Sequence, residues 1–247
     1  MLAALKSLYH LSVSPIRGDD HAQRLESFYH GQAQDYDTFR QRLLHGRRPL
    51  IERLPLHKGQ TWIDIGCGTG ENLALAGSRL NALQRIGLVD LCPSLLDVAR
   101  KRIQARGWRN VEIVQADAEQ YRLPAETVDV VTCSYSLSMI PDWIAVVENV
   151  RAMLRPGGYF GVVDFYVSRK FPPKGCVRHS WWTRTFWPTW FAVDNVMLRS
   201  DVLPLLIRQF EPVLLDECRG KVPFLCGASA PYFVFVGRNK LSTSELS

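Results

Sequence analysis

Short apolar runs alternate with longer segments of helical period through most of this chain. The runs predict strands at residues 62–65, 85–90, 111–118, 128–133 and 159–165, and the segments between them predict amphipathic helices at 93–103 and 142–154. Strands that alternate with helices at this spacing are typical of a parallel, doubly wound α/β sheet. A hairpin from about residue 213 into a strand at 231–237 completes the pattern.

The first predicted strand ends in a loop with glycine at alternate positions, Asp64-Ile65-Gly66-Cys67-Gly68-Thr69-Gly70. A dinucleotide-binding fingerprint requires a glycine at the sixth loop position, where this chain has Glu71. An acid there repels a pyrophosphate, so a cationic or zwitterionic nucleotide suits this loop better. The loop resembles motif I of class I S-adenosylmethionine-dependent methyltransferases, whose cofactor carries a sulfonium and an ammonium.

The ends of the predicted strands supply the candidate cofactor site, because ligands of open α/β sheets bind at the carboxyl ends of the strands. In the family that this chain resembles, the ends of strands one, two and three hold the methionine part, the ribose and the adenine of S-adenosylmethionine. Asp90 is alternatively a helix N-cap, and Asp117 a turn former. The candidate cofactor-binding residues at the four strand ends are Asp64, Gly66, Gly68, Gly70, Asp90, Leu91, Asp117, Ala118 and Ser134.

A Tyr-Asp pair lies upstream of the glycine loop, in a segment predicted to form an N-terminal helical cover. Small-molecule and lipid methyltransferases of this fold often carry such a pair on a helix that covers the cofactor. The resemblance therefore places Tyr36 over the methionine end, with Arg40, one helical turn on, near its carboxylate. The alternative is an ordinary amphipathic helix.

The net charge of +6 is concentrated in one segment. No acid occurs between Asp164 and Asp194, whereas this segment holds four tryptophans and the basic residues Arg169, Lys170, Lys174, Arg178 and Arg184. Basic residues favour an anionic leaflet, and tryptophan favours the membrane interface. We therefore predict a substrate- and membrane-facing insert at residues 165–212. The alternative is that the tryptophans pack the core of a small subdomain.

A narrower resemblance covers residues 25–238. The chain is similar to the methyltransferase family of betaine lipid synthesis, which trimethylates diacylglyceryl homoserine. The similarity rests on residues 36–40, 88–96, the specific stretch Ser-Tyr-Ser-Leu-Ser-Met-Ile-Pro-Asp at 134–142, residues 161–166, and the Trp-rich insert. It implies a single Rossmann-like domain with a seven-stranded, mostly parallel sheet, and an aminocarboxypropyl transferase as functional partner. An N-terminal extension (1–24) and a flexible tail (239–247) lie outside it.

The expected reaction holds a neutral amine in line with the methyl group of the cofactor. Candidate catalytic residues, which orient the amine or accept its proton, are Tyr135, Asp164 and Tyr166. Aromatic faces tolerate a growing quaternary ammonium by cation–π attraction, and an arginine or histidine pairs with the headgroup carboxylate. The candidate substrate-binding residues are Met139, Arg178, His179, Arg184 and Trp187.

Several features of the sequence limit where the protein is expected to act and which other reactions remain possible. No apolar run is long enough to span a bilayer, and six cysteines without a Cys-x-x-Cys pair predict reduced thiols and no metal site. We therefore expect a cytoplasmic protein, peripheral on the inner face of the cytoplasmic membrane. Phosphatidylethanolamine N-methylation, methylation of another small amine, and a cofactor-binding protein without catalysis remain alternatives. RNA methylation is disfavoured, and no nucleic-acid partner is expected, because the fourth strand ends in Cys133-Ser134-Tyr135-Ser136 rather than in Asn/Asp-Pro-Pro-Tyr.

Overall fold

A seven-stranded sheet with helices on both faces forms the protein in the computed structural model, which describes residues 23, 26–27, 43–223, 225 and 227–240. The strands are β1 (Thr61–Ile65), β2 (Arg85–Asp90), β3 (Val111–Gln115), β4 (Val128–Ser134), β5 (Leu154–Phe165), β6 (Phe210–Lys221) and β7 (Ser229–Asn239). The helices are α1 (Arg47–Arg53), α2 (Glu71–Ala76), α3 (Pro93–Arg106), α4 (Trp143–Met153), α5 (Trp181–Ala192) and α6 (Val202–Gln209), with a 3₁₀ helix at Gly77–Ala82.

The strand order is β3-β2-β1-β4-β5-β7-β6. Strands β1 to β5 pair in parallel, and β7 pairs antiparallel with both β5 and β6. The predicted seven-stranded, mostly parallel sheet is confirmed, including the closing hairpin. Because β1 has β2 on one side and β4 on the other, the chain reverses direction across the sheet at β1. This reversal point is where open α/β sheets form a ligand crevice.

Two hydrophobic layers cover the sheet. Helices α1, α2 and α3 pack on one face with the inner side of α5, and α4 and α6 pack on the other. Every residue of β4 is buried, as is typical of a central parallel strand that is covered on both faces. Trp62 of β1 is fully buried, and its Nε1 donates to Thr132 Oγ1 of β4 at 2.8 Å. The two central strands that carry the site are therefore joined through their side chains as well.

The largest difference from the predicted elements lies between α4 and β5. The Arg-Pro-Gly-Gly stretch at 155–158, predicted to separate helix and strand, belongs to β5. The pairing of β4 with β5 shifts register here, since Val128 pairs with Leu154 but Val130 pairs with Tyr159. A Cβ on Gly158 would lie 3.0 Å from the Asp129 carbonyl oxygen, so glycine permits the close approach. The chain thus leaves the helix directly into an irregular strand.

Helix α5, in the Trp-rich insert, has two different faces. Ser180 caps its N-terminus by accepting from the Thr183 N–H at 3.2 Å. Its inward side chains, Trp187 and Phe191, are buried, whereas Trp182, Phe186 and Trp190, four residues apart on the other face, are exposed. Among the described residues, no helix is long and apolar enough to cross a bilayer.

Candidate active site

The glycine loop after β1 is folded tightly against the ends of β2 and β4. Gly66, Gly68 and Gly70 all have positive φ, at 66°, 55° and 73°. The Gly66 N–H donates to the Val89 carbonyl of β2 at 2.8 Å. A Cβ on Gly66 would lie 2.4 Å from Ser136 Cβ, so only glycine fits there. Gly70 lies at the N-cap of α2, outside the cavity that the loop borders.

Asp90, the last residue of β2, fixes this loop. Its carboxylate accepts from the Gly68 N–H at 2.7 Å and from the Cys92 N–H at 2.9 Å. Burial raises the pKa of Asp90, and the hydrogen bonds from the Cys92, Gly68 and Leu91 backbone oppose that shift. Asp90 therefore joins the glycine loop to the start of α3 while it borders the cavity.

Asp64 lies beneath the loop rather than in the cavity, which differs from its predicted contact with the cofactor. It is fully buried, and its carboxylate accepts from Asn72 Nδ2 at 2.9 Å and from Thr132 Oγ1 at 2.5 Å. Burial raises the pKa of Asp64 to about 6. Asn72 Nδ2 also donates to Ser134 Oγ at 3.0 Å. Asp64 thus links α2 to β4 and supports the loop from below.

A cavity of about 730 Å³, part of it open to solvent, lies where the glycine loop meets the ends of β2, β3 and β4. Its lining combines aliphatic side chains and the glycine loop with two acids, hydroxyls, one tyrosine and one arginine. The structure brings together nine predicted site residues here: Gly66, Gly68, Asp90, Leu91, Asp117, Ala118, Ser134, Tyr135 and Met139. Asp117 also accepts from the Glu119 N–H at 2.9 Å, so it forms a turn as well as part of the wall. Predicted Tyr36 and Arg40 lie outside the described residues.

Tyr135 belongs to the cavity wall in an unusual backbone conformation, with φ of 58°. Its hydroxyl donates to the His45 carbonyl, and its ring lies 4.7 Å from that of Phe165. Burial raises its pKa well above the ordinary value. A hydroxyl that donates to the backbone and stays protonated does not suit the predicted role of proton acceptor. Its ring remains suited to the predicted contact with a cation.

Asp164 and Tyr166, the other predicted catalytic residues, lie outside the cavity lining. Asp164 accepts from the Ser138 N–H at 2.9 Å and from the Phe165 N–H at 2.8 Å, and burial raises its pKa to about 6. It therefore holds the 134–140 loop in place. The Tyr166 hydroxyl donates to Glu217 Oε1 at 2.5 Å, and burial raises its pKa. Both side chains are committed to structural hydrogen bonds.

Most predicted substrate-binding residues belong to the insert and do not line the cavity. His179 is buried: its Nδ1 accepts from the Ser168 N–H at 3.0 Å, and burial lowers its pKa to about 4. Trp187 packs on Phe191 in the core, at a ring distance of 5.8 Å. The other two residues, Arg178 and Arg184, also lie outside the cavity lining, so Met139 alone of the five borders it.

Arg47 and Ser136 border the cavity although the sequence analysis did not select them. Ser136 lies within the specific stretch at 134–142, which was a signal in its favour. Arg47 stands next to Arg48 at the start of a short helix, and no spacing distinguishes the two arginines. Only the packing of α1 on the sheet turns Arg47 inward and leaves Arg48 exposed.

Residues 63–158 match the family model described as a methyltransferase domain. Demethylmenaquinone methyltransferase of Geobacillus stearothermophilus is 26% identical over 117 residues, 47% of this chain and 50% of that protein. Ubiquinone/menaquinone biosynthesis C-methyltransferase UbiE of Escherichia coli is 27% identical over 162 residues, 63% of this chain and 64% of that protein. The chain thus spans half to just under two thirds of the length of these relatives.

A solved structure, phosphoethanolamine N-methyltransferase 2 of Haemonchus contortus in complex with S-adenosyl-L-methionine, has a TM-score of 0.68 at 15% identity. The match covers 92% of this chain and 61% of that one. The strand order and the glycine loop are those of the class I methyltransferase fold, and residues 63–158 are similar to a methyltransferase domain. S-adenosylmethionine is the cofactor of this protein.

The cavity residues fit this cofactor. Gly68 leaves space for a ligand, because the nearest atom to a Cβ built there is Leu95 Cδ1 at 3.9 Å. Asp90 lies at the end of β2, where the ribose hydroxyls would bind, and Leu91 and Ala118 offer apolar surface to the adenine. When bound, the cofactor supplies an electrophilic methyl group on a sulfonium. The protein's residues contribute binding, orientation and exclusion of water.

The two buried carboxyl groups predict a pH dependence of stability. Both pKa values, about 6 for Asp64 and for Asp164, exceed the ordinary value, so the native state holds these protons longer than the unfolded chain. Their contribution is complete below about pH 4 and is lost as the pH rises through about 6. Asn does not titrate, so between about pH 5 and 7 the Asp164→Asn variant should lose about 1 kcal/mol less folding stability than the parent.

Urea unfolding at both pH values measures this effect, with the exposed Asp97→Asn as a matched control. The pKa of His179 is lowered to about 4, so its contribution to folding stability increases as the pH rises. This contribution is the same in the parent, Asp164→Asn and Asp97→Asn. An identical pH slope in Asp164→Asn and parent would contradict the prediction.

Proposed function

We propose that this protein transfers methyl groups from S-adenosylmethionine to the amine of a lipid headgroup, converting diacylglyceryl homoserine to diacylglyceryl trimethylhomoserine. The reaction takes place at a membrane surface, with an aminocarboxypropyl transferase as the partner that supplies the headgroup. The observation that carries the lipid substrate is a continuous set of aromatic contacts between the cavity wall and the exposed face of α5.

These contacts begin at Tyr135 in the cavity. Its ring lies 4.7 Å from Phe165, which lies 4.5 Å from Phe191 on the inner side of α5. The outer side of the same helix carries Trp182, Phe186 and Trp190, with 73%, 46% and 43% of their surfaces exposed. An exposed aromatic face therefore lies one helix away from the cavity wall, which supports contact of this face with a membrane. A headgroup that remains attached to its lipid needs such a short path from bilayer to site.

The charges of the insert also favour an anionic lipid surface. Lys170 and Arg178 lie 5.5 and 5.7 Å from the ring of Phe171, which is itself exposed. The charge of Arg169 is already paired within the protein, because its Nε lies 2.5 Å from Asp201 Oδ1. Basic residues near an anionic leaflet contribute about 1 kcal/mol each, and an exposed aromatic between two cations suits the boundary between headgroups and water.

The cavity suits amine methylation because it can position a neutral amine toward the methyl group of the cofactor. An alkylamine near pKa 10 must lose a proton before it attacks, and transfer to an apolar site disfavours the charged form. Orientation of the neutral amine toward the methyl group supplies about 7–11 kcal/mol. The ring of Tyr135 offers cation–π attraction to the product, which becomes permanently charged at the third transfer.

The relatives favour a second candidate. One of the two curated relatives is named a demethylmenaquinone methyltransferase, and the other a ubiquinone/menaquinone biosynthesis C-methyltransferase. Methylation of a quinone ring carbon would use the same cofactor cavity and would also require access to a membrane. It would not require a site that tolerates a quaternary ammonium.

One assay separates the candidates. Purified protein is incubated with labelled S-adenosylmethionine and mixed micelles that contain diacylglyceryl homoserine, phosphatidylethanolamine or a demethylmenaquinone. We expect mono-, di- and trimethylated homoserine lipid by mass spectrometry, with little label in the other two lipids. Label confined to the quinone or to phosphatidylethanolamine would contradict the proposed substrate while leaving the class of enzyme intact.

A further inference from the structure

Among the described residues that line the cavity, Arg47 is the one basic side chain, while Asp90 and Asp117 are acids. Its Nε is buried and has no hydrogen-bond partner among the residues that the structure describes. A buried N–H of a charged group without an acceptor is unfavourable, and such groups normally have partners. The guanidinium therefore has unused donor capacity at the cavity.

The start of α1 packs closely on the sheet, which positions the backbone of Arg47. Gly46 has φ of 81°, and a Cβ there would lie 2.6 Å from the ring of Tyr232, so the backbone packs directly on β7. The preceding His45 accepts from the Tyr135 hydroxyl through its carbonyl, and its Nε2 lies 3.0 Å from the Lys221 carbonyl oxygen. The backbone of Arg47 is thus set by these contacts, and its Cζ lies 5.8 Å from the centre of the Tyr135 ring.

We propose that Arg47 is a carboxylate-binding residue of the cavity, and that its guanidinium pairs with the α-carboxylate of an amino-acid group. A planar guanidinium donates through Nε and a terminal nitrogen to both oxygens of a carboxylate, which would supply the missing acceptor. Two molecules bring such a group: the cofactor, through its methionyl end, and the homoserine headgroup. The cofactor source is independent of the proposed substrate, whereas the headgroup source depends on it.

The test compares Arg47→Gln and Arg47→Lys with Arg48→Gln, the matched control. Arg48 is the next residue of the same helix, but it is exposed and lies 3.7 Å from Glu52. Calorimetric titration measures the dissociation constants of S-adenosylmethionine and of decarboxylated S-adenosylmethionine, which lacks the carboxylate. Circular dichroism and thermal unfolding check that each variant is folded.

If the cofactor is the source, Arg47→Gln weakens S-adenosylmethionine binding about 10- to 100-fold, as expected for a charge-assisted pair, and leaves the decarboxylated analogue unaffected. Arg47→Lys has an intermediate effect, because it keeps the charge but loses the planar pair of donors. If the headgroup is the source, Arg47→Gln leaves the affinity for S-adenosylmethionine unchanged and raises the KM for diacylglyceryl homoserine, whereas Arg48→Gln changes neither.

Two results would overturn the proposal. One is unchanged cofactor affinity together with unchanged KM in a folded Arg47→Gln protein. The other is an equal loss of affinity for S-adenosylmethionine and its decarboxylated analogue, because that would assign Arg47 a structural role. Both binding measurements are made without a methyl acceptor, so they do not depend on the identity of the lipid.

Discussion

Asp90→Ala is expected to weaken S-adenosylmethionine binding by at least about 100-fold, because it removes both a cavity wall group and the anchor of the glycine loop. The carboxylate accepts from the Gly68 N–H at 2.7 Å and from the Cys92 N–H at 2.9 Å, so its loss frees two backbone donors at the cavity. Calorimetric titration with S-adenosylmethionine measures the effect. Asp97→Ala on α3, where the carboxylate is exposed, is the control.

Gly68→Val tests the same cavity without removing a hydrogen bond. Its side chain meets little protein, since Leu95 Cδ1, 3.9 Å away, is the nearest atom to a Cβ at this position, so the valine occupies ligand space. Gly107→Val is the matched control: its φ is +65° against +55° at Gly68, no atom of the described residues lies within 4 Å of its Cβ position, and it does not line the cavity. Both variants carry a left-handed strain of about 1–2 kcal/mol, but only Gly68→Val should lose cofactor binding. Wild-type affinity in folded Asp90→Ala and Gly68→Val would remove these residues from the site.

The sheet was predictable because its signals are local. Each buried parallel strand appears as an apolar run, and the glycine loop and Asp90 follow directly after two of these runs. The carboxyl ends of parallel strands meet at one edge, so residues far apart in sequence, such as Gly68 and Asp117, could be assigned to one cavity. The boundary at Leu154 was missed because a register shift, rather than a residue pattern, carries the chain from α4 into β5.

The roles of polar residues near the site were less predictable. Asp64 and Asp90 both end a strand, but Asp64 points below the loop to Asn72 and Thr132, whereas Asp90 borders the cavity. The alternation of side chains along a strand does not identify which face the loop will cover. Arg47 lies outside any motif, and only the packing of Gly46 on β7 brings it to the cavity.

The Trp-rich insert illustrates the same difficulty at the level of one helix. The core-packing interpretation holds for Trp187, whereas Trp182 and Trp190 are exposed, and the membrane-facing interpretation stays a prediction. Their spacing shows the division in retrospect: positions 182, 186 and 190 share one face, and 183, 187 and 191 share the other. The sequence contains aromatic residues on both faces, so amphipathicity alone did not identify the buried one.

Replacing three of the exposed aromatics of α5, Trp182, Phe186 and Trp190, with alanine should reduce binding to anionic vesicles about 100-fold. Trp182, Phe186 and Trp190 are each roughly half to three-quarters exposed, and transfer of that area to the interface contributes about 1 kcal/mol per residue. Sedimentation with phosphatidylglycerol-containing vesicles measures the partition coefficient. Binding should rise with the anionic fraction and fall with salt, because exposed charges are screened over about 8–10 Å.

The matched control is Ile144→Ala with Val213→Ala, which removes apolar residues of similar exposure, 45% and 60%, from other parts of the surface. It should bind vesicles as the parent does, and both variants should keep their affinity for S-adenosylmethionine, because none of the five residues lines the cavity. Charge reversal at Lys170, Lys174 and Arg178 should weaken binding mainly at low salt. If the aromatic variant binds vesicles as well as the parent, the exposed face of α5 does not contact the bilayer. The lipid headgroup assignment would then depend on sequence resemblance alone.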